Sequence, residues 1–225
     1  MSLDGATIAF DLDGTLVDTA ADLIGALNLV LAERALPALP VEAARMLVGR
    51  GARVLIERGF EAAGAELNPD ETPGLVARFI EFYLGRIADE SAPFPGLLPA
   101  LDGLTAEGAK LVVCTNKRTD LSLALLDALD LTSRFAAVVG ADKAPAAKPD
   151  PRHYLAAIDA AGGALKRSLM VGDSLNDVAA AKAAGAPVIV VSFGYTETPA
   201  SELGGDILID DFAELHAAAT SLLSA

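Results

Sequence analysis

Short, unbroken apolar runs alternate along the chain with longer stretches whose apolar residues return every three to four positions. The first kind reads as buried strands, the second as helices with one inward face. The runs fall at Thr7 to Phe10, Lys110 to Cys114, Ala136 to Val139, Ser168 to Val171 and Pro187 to Val191, with a weaker one at Asp206 to Ile209. Helical spacing occupies Leu98 to Leu104, Asp120 to Leu129, Arg152 to Ala161, Asn176 to Ala184 and Phe212 to Leu223. Strand followed by helix, repeated, predicts an α/β fold with a parallel sheet and crossover helices.

The interval from Asp18 to about Ser91 breaks this rhythm. It holds no strand-like run, while Leu23, Ile24, Leu27, Val30 and Leu31 share one helical face and Val76, Phe79, Ile80 and Tyr83 share another. An all-helical insert over 18–91 is expected, set between the 1–17 and 92–225 parts of the core. Leu36-Pro37 and Leu39-Pro40 interrupt it early, and Pro93-Phe94-Pro95-Gly96 marks the exit.

Composition narrows the partners. At roughly 150 residues per domain, 225 residues make between one and two domains. With 31 acidic against 17 basic side chains and a net charge of −14, the chain repels nucleic-acid backbones and anionic lipid, so a small-molecule partner is expected. The longest uncharged stretch, Ala183 to Thr196, contains Gly185, Pro187 and Gly194, and a spanning helix needs ~20 apolar residues. Acidic residues at 4, 11 and 13 with no basic region before them argue against a signal or transit peptide. The single cysteine, Cys114, permits no intrachain disulfide and no Cys-rich zinc site, which fits a reducing, cytoplasmic location.

Candidate chemistry sits at the strand ends. After the first strand comes Asp11-Leu12-Asp13-Gly14-Thr15-Leu16-Val17-Asp18, where alternation points Asp11 and Asp13 the same way at the carboxyl edge of the sheet, the edge at which open α/β folds bind ligands. A calcium loop of the EF-hand kind would need Gly and Glu where Leu16 and Asp22 stand; a solvated acidic turn is the other plain reading. Gly172-Asp173-Ser174-Leu175-Asn176-Asp177 ends another strand and opens a helix, so it brings two more carboxylates to the same rim unless it serves only to cap that helix. At ~4 Å and an effective dielectric of about 20, each like-charge pair costs on the order of 4 kcal/mol, so four acids on one rim call for a cation. Oxygen ligands without Cys or His favour Mg²⁺. Thr115-Asn116-Lys117 offers a hydroxyl, an amide and backbone N–H groups to phosphoryl oxygens. Lys148, stiffened by Pro149 and followed by Asp150-Pro151, offers a charge that is otherwise merely solvated.

Taken in order, Asp11-x-Asp13-Gly14-Thr15, Thr115-Asn116, Lys148-Pro149 and Gly172-Asp173-Ser174-x-x-Asp177 resemble the haloacid dehalogenase superfamily of phosphohydrolases, nearly end to end. Pro95-Gly96, Lys148-Pro149-Asp150-Pro151, Ser192-Phe193-Gly194-Tyr195-Thr196 and Val48-Gly49-Arg50-Gly51-Ala52 resemble its phosphoglycolate phosphatase branch. The resemblance implies a Rossmann-like core with a helical cap inserted after the first strand. It implies Asp11 as the nucleophile that becomes an aspartyl-phosphate, Asp13 as general acid and base, and Lys148 as the balancing charge. It also implies Mg²⁺ held by Asp11, the Asp13 backbone carbonyl, Asp173 and, directly or one shell out, Asp177, with Thr115 and Asn116 orienting the phosphoryl group.

Single positions separate branches. Dehalogenating relatives lack the second Asp, which is present here as Asp13; phosphonate-cleaving relatives need a cap lysine, and none occurs between Asp18 and Ser91. The loop Gly49-Arg50-Gly51 also differs from that of sugar phosphomutases. A phosphatase of small monoesters, 2-phosphoglycolate first, is therefore expected, with another small phosphate monoester as the alternative. A phospho-accepting signalling module also joins acids, a Thr and a Lys on such a sheet, but is about half as long and has no use for Asp13. Arg50, between two glycines, is a candidate for pairing with a substrate carboxylate, or else a solvated turn residue. His153, His216 and Cys114 read as packing or surface residues; Tyr195 reads as packing or as lining the site.

Overall fold

The computed structural model describes residues 3–224. In chain order its elements are β1 (Thr7–Phe10), β2 (Val17–Asp18), α1 (Ala20–Ala32), α2 (Val41–Ala44), α3 (Ala52–Ala62), α4 (Thr72–Leu84), β3 (Ala92–Pro93), α5 (Leu97–Ala106), β4 (Lys110–Thr115), α6 (Thr119–Ala128), β5 (Ala137–Gly140), α7 (Pro151–Ala160), β6 (Ser168–Gly172), α8 (Leu175–Ala184), β7 (Val188–Val191), β8 (Ile207–Ile209) and α9 (Leu215–Leu223).

Six strands pair in parallel in the order β5-β4-β1-β6-β7-β8. Both faces are covered, which is why the strand sequences are continuously apolar rather than alternating. Ile8, Phe10, Leu111 and Val113 pack on one face against Leu101 and Leu104 of α5 and Leu215 of α9. Ala9, Val112 and Met170 pack on the other against Tyr154 of α7 and Val178 of α8. Chain order reverses around the central β1, and the carboxyl ends of β1, β4, β5 and β6 meet there, at the switch point where such sheets bind ligands.

Helices α1 to α4 form a second apolar cluster in which Leu27, Ile56, Phe60 and Phe79 meet, joined from the core by Leu121 and Tyr195. Asp22, with a fully buried side chain, ties the end of this layer to its start: it accepts from Ser91 N and Oγ at 2.8 and 2.7 Å, from Glu90 N at 3.0 Å and from Arg86 Nε at 3.3 Å.

Two local features differ from the sequence expectation. The interval expected to lack strands begins inside one, because Val17–Asp18 pairs antiparallel with Ala92–Pro93; two residues are too few to show a period. The helix expected over Phe212 to Leu223 starts with a separate 3-10 turn, Phe212–Glu214, whose Ala213 N–H donates to the Asp211 side chain. No helix among the described residues is long and apolar enough to cross a membrane.

Candidate active site

The site begins where β1 ends. Asp11 N donates to Val171 O at 2.9 Å, continuing the sheet by one residue, and the Asp11 carboxylate accepts from Leu12 N at 2.7 Å. The chain then turns through Gly14 at φ 82°, where a Cβ would stand 2.4 Å from Asp173 Oδ2. Only glycine combines that backbone with that approach.

Lys148 occupies the centre of the buried half. Its Nζ lies 2.5 Å from Cys114 O, 2.6 Å from Asp177 Oδ1 and 3.1 Å from Asp11 Oδ1. Its loop is pinned from two sides. The Asn116 amide pairs with the Lys148 main chain, accepting from N at 2.9 Å and donating to O at 3.0 Å, and His153 Nδ1 accepts from Lys148 N at 3.2 Å. Burial alone would lower the Lys148 ammonium, but the Asp11 and Asp177 carboxylates carry it above its ordinary value. Asp177 also closes a capping box with Ser174 at the start of α8. Capping and a place among the strand-end acids, rival readings in the sequence, are compatible in this residue.

Asp173 accepts from Tyr195 N at 2.6 Å and from Thr15 Oγ1 at 3.2 Å. Carboxylate oxygens of Asp11, Asp173 and Asp177 lie within 4.8 Å of one another. Burial pushes Asp11 up to about 7; Lys148 opposes the rise, and Asp177 and Asp13 add to it. Asp173 is likewise raised, by burial first and then by Asp11 and Asp177. Three buried acids of which two resist ionisation have the chemistry of a divalent-cation site, since a cation there stabilises the charged forms.

Asp13 belongs to a second group. Its carboxylate accepts from Lys117 Nζ at 2.9 and 3.0 Å and from Thr19 Oγ1 at 2.8 Å. A cavity of about 60 Å³ opens between core and helical layer here, lined by Asp11, Asp13, Thr115, Asn116 and Lys117 from below and by Leu55, Phe79 and Tyr83 from above. The Asn116 amide gives one N–H and its oxygen to the Lys148 loop, so its second N–H and its main chain are what it has left for a ligand.

Arg50 is not brought to this cavity. It is exposed and lines a neighbouring groove with Arg58, Asn176 and Tyr195. Sequence reasoning missed two contributors, Lys117 and His153, and left Tyr195 between two roles. Lys117 stands two residues beyond Thr115, a spacing that returns the chain to the same side of an extended strand end. His153 lies on the apolar face of α7 with Tyr154, Ala157 and Ile158, the signal of a buried rather than a surface histidine. Burial lowers its pKa to about 4, with Lys148 acting in the same sense. Tyr195 is buried, and its hydroxyl accepts from Thr19 N at 2.7 Å and Ala20 N at 3.1 Å while donating to Asp18.

Carboxylates interleaved with buried ammonium groups at the switch point of a parallel sheet, beneath a helical layer, define a hydrolase of the phosphoryl-transferring α/β kind. The chain belongs to the haloacid dehalogenase-like hydrolases, whose family profile matches residues 6–185. It is 60% identical over 222 residues to a phosphoglycolate phosphatase of Caulobacter vibrioides, covering 99% of this chain and 94% of that protein. To the phosphoglycolate phosphatase of Agrobacterium fabrum it is 48% identical, with 92% and 88% covered. Among solved structures, a predicted phosphoglycolate phosphatase from Haemophilus somnus 129PT superposes with a TM-score of 0.88 at 32% identity, covering 97% of this chain and 99% of that one.

Proposed function

We propose that the protein hydrolyses small phosphate monoesters through an aspartyl-phosphate on Asp11, with 2-phosphoglycolate as its substrate. The observation that carries this reading is the Asp11–Lys148–Asp177 arrangement at the central strand end, backed by relatives that bear the name phosphoglycolate phosphatase. Residues 18–91 act as a cap over the core made by 1–17 and 92–225. The lone buried thiol of Cys114 is compatible with work in the cytoplasm.

Asp11, Asp173 and Asp177 fit a divalent ion on their oxygen-only donors, and burial holds the pKa of Asp11 and Asp173 above the usual carboxylate range, which a cation would relieve; we assign Mg²⁺, with the Asp13 carbonyl as a further ligand. Bound there, Mg²⁺ supplies charge to the phosphoryl oxygens and keeps Asp11 ionised. Asp11 attacks phosphorus with a carboxylate oxygen while the P–O bond to the leaving group breaks, and Asp13 gives its proton to the departing oxygen. Asp13 then takes a proton from the water that attacks the aspartyl-phosphate, which releases phosphate and restores both acids. Thr115 and Asn116 orient the phosphoryl group, and Lys148 balances its charge.

Phosphate release from 2-phosphoglycolate, glycerol phosphate and p-nitrophenyl phosphate, before and after chelation and Mg²⁺ return, tests this. Turnover is expected to be highest on 2-phosphoglycolate, to vanish with chelator and to return with Mg²⁺. Asp11→Asn, a far poorer nucleophile, should fall below about 1% of wild-type kcat; a higher residual rate refutes the intermediate.

A further inference from the structure

Lys117 and Tyr83 meet where the helical layer closes over the core. An ammonium has three protons, and Lys117 gives two to Asp13, leaving a third for another acceptor. Its Nζ stands 4.6 Å from the centre of the Tyr83 ring. Tyr83 is fully buried, near the end of α4. Its hydroxyl has the Lys117 ammonium as its electrostatic and hydrogen-bonding neighbour and no other partner. Buried polar groups in folded chains are nearly always paired, so a hydroxyl that has a cation for its oxygen but no acceptor for its own proton, on a residue that lines the cavity, marks a place for a ligand atom.

Both side chains line the small cavity beside Asp11 and Asp13, and the rest of that wall is largely apolar, with Leu23, Leu55 and Phe79 prominent. A ligand atom reaching this end of the cavity meets the Tyr83 O–H beside the Lys117 ammonium. An acceptor-only anion matches the pair.

We infer that Lys117 and Tyr83 bind a carboxylate on the leaving group, so that the site selects phosphate esters of small hydroxy acids over those of neutral alcohols. The inference rests on the reading of Asp13 as the proton donor, which sets the leaving group on the Asp13 side of the phosphoryl group, where these two residues stand. A neutral alcohol there leaves the Tyr83 proton beside the ammonium without an anionic acceptor, and sites with buried groups left unpaired discriminate strongly. Arg50, the other candidate for this role, lies in the neighbouring groove.

The test compares kcat/KM for 2-phosphoglycolate and for 2-hydroxyethyl phosphate, which replaces the carboxylate with a neutral alcohol group. Wild type is expected to prefer the first. Tyr83→Phe, which removes only the hydroxyl, should lower that preference about tenfold, mostly through KM, and raise the inhibition constant of free glycolate by a similar factor. A preference that survives Tyr83→Phe within about twofold, or one that collapses in Arg50→Ala instead, overturns the inference and leaves the phosphatase reading standing. A wild type that turns over both esters equally removes the 2-phosphoglycolate assignment and the inference together. Hydrolysis of neither ester removes the phosphatase reading itself.

Discussion

Two buried lysines serve two aspartates, and they do so differently. Lys148 donates to Cys114 O and Asp177 and forms an ion pair with Asp11 at 3.1 Å, and its side chain is 1% exposed. Lys117 gives two protons to Asp13, stands beside the Tyr83 hydroxyl, whose own proton has no acceptor, and borders the cavity. The first is a closed arrangement whose geometry is fixed before any substrate arrives. The second is left open on one side, and an open donor beside a cavity is available for recognition. In the proposed reaction the fixed charge stands at Asp11 as nucleophile and the available one at the leaving group, which would separate reactivity from selectivity within one cleft.

Removing each cation probes the contrast directly. Lys148→Met should lower kcat by ~10² or more, the usual consequence of losing one preorganised charge, and should cost on the order of 3–5 kcal/mol of stability by leaving Asp11 and Asp177 buried without their counter-ion. Urea unfolding beside steady-state kinetics reads both, and a loss in only one of them would break the picture of a closed arrangement. Lys117→Met should cost less stability, about 1–3 kcal/mol, because Asp13 keeps Thr19 Oγ1. Its selectivity for the carboxylate ester should fall about tenfold, where Lys148→Met should slow both esters alike.

The smallest effect concerns the support of the Lys148 loop. His153 accepts from Lys148 N through Nδ1 and pairs with Val139 O through Nε2, an arrangement that suits the neutral ring with its proton on Nε2. Its pKa is lowered from 6.5 to about 4. Between those values the unfolded chain binds a proton that the folded chain does not, so stability falls as pH drops below 6.5. Between pH 7.5 and 5.5 the loss should reach about 1 kcal/mol, and His153→Gln should flatten that slope. An unchanged slope in denaturant titrations at the two pH values would remove His153 from the account.

What the sequence made legible follows from how each signal arises. Buried parallel strands need apolar residues on both faces, so Thr7 to Phe10 and Ser168 to Val171 declare themselves without help from the rest of the chain. The carboxyl-edge placement of Asp11, Asp13, Asp173 and Lys148 came from the same reading, since a residue just past a parallel strand has only one edge to occupy. Lys117 and His153 were passed over because their function lies in contacts across the sequence: Lys117 reaches back to Asp13 and across to Tyr83, and His153 reaches the loop before its own helix. The direction of Arg50 was not legible, because glycines on both sides remove the backbone preferences that would have aimed it. The β2–β3 pairing escaped for want of length.

That short pairing has a consequence for descent. The segment 19–91 leaves and rejoins the core through neighbouring strands, Val17–Asp18 and Ala92–Pro93, so its ends lie roughly 5 Å apart. A cassette of another length, exchanged at that doorway, would need no rerouting of the sheet. Mutations that reshape the helical layer and mutations that touch the strand-end aspartates fall on separate stretches of coding sequence. A lineage can therefore retune which ester it accepts while the apparatus that breaks the bond is inherited intact.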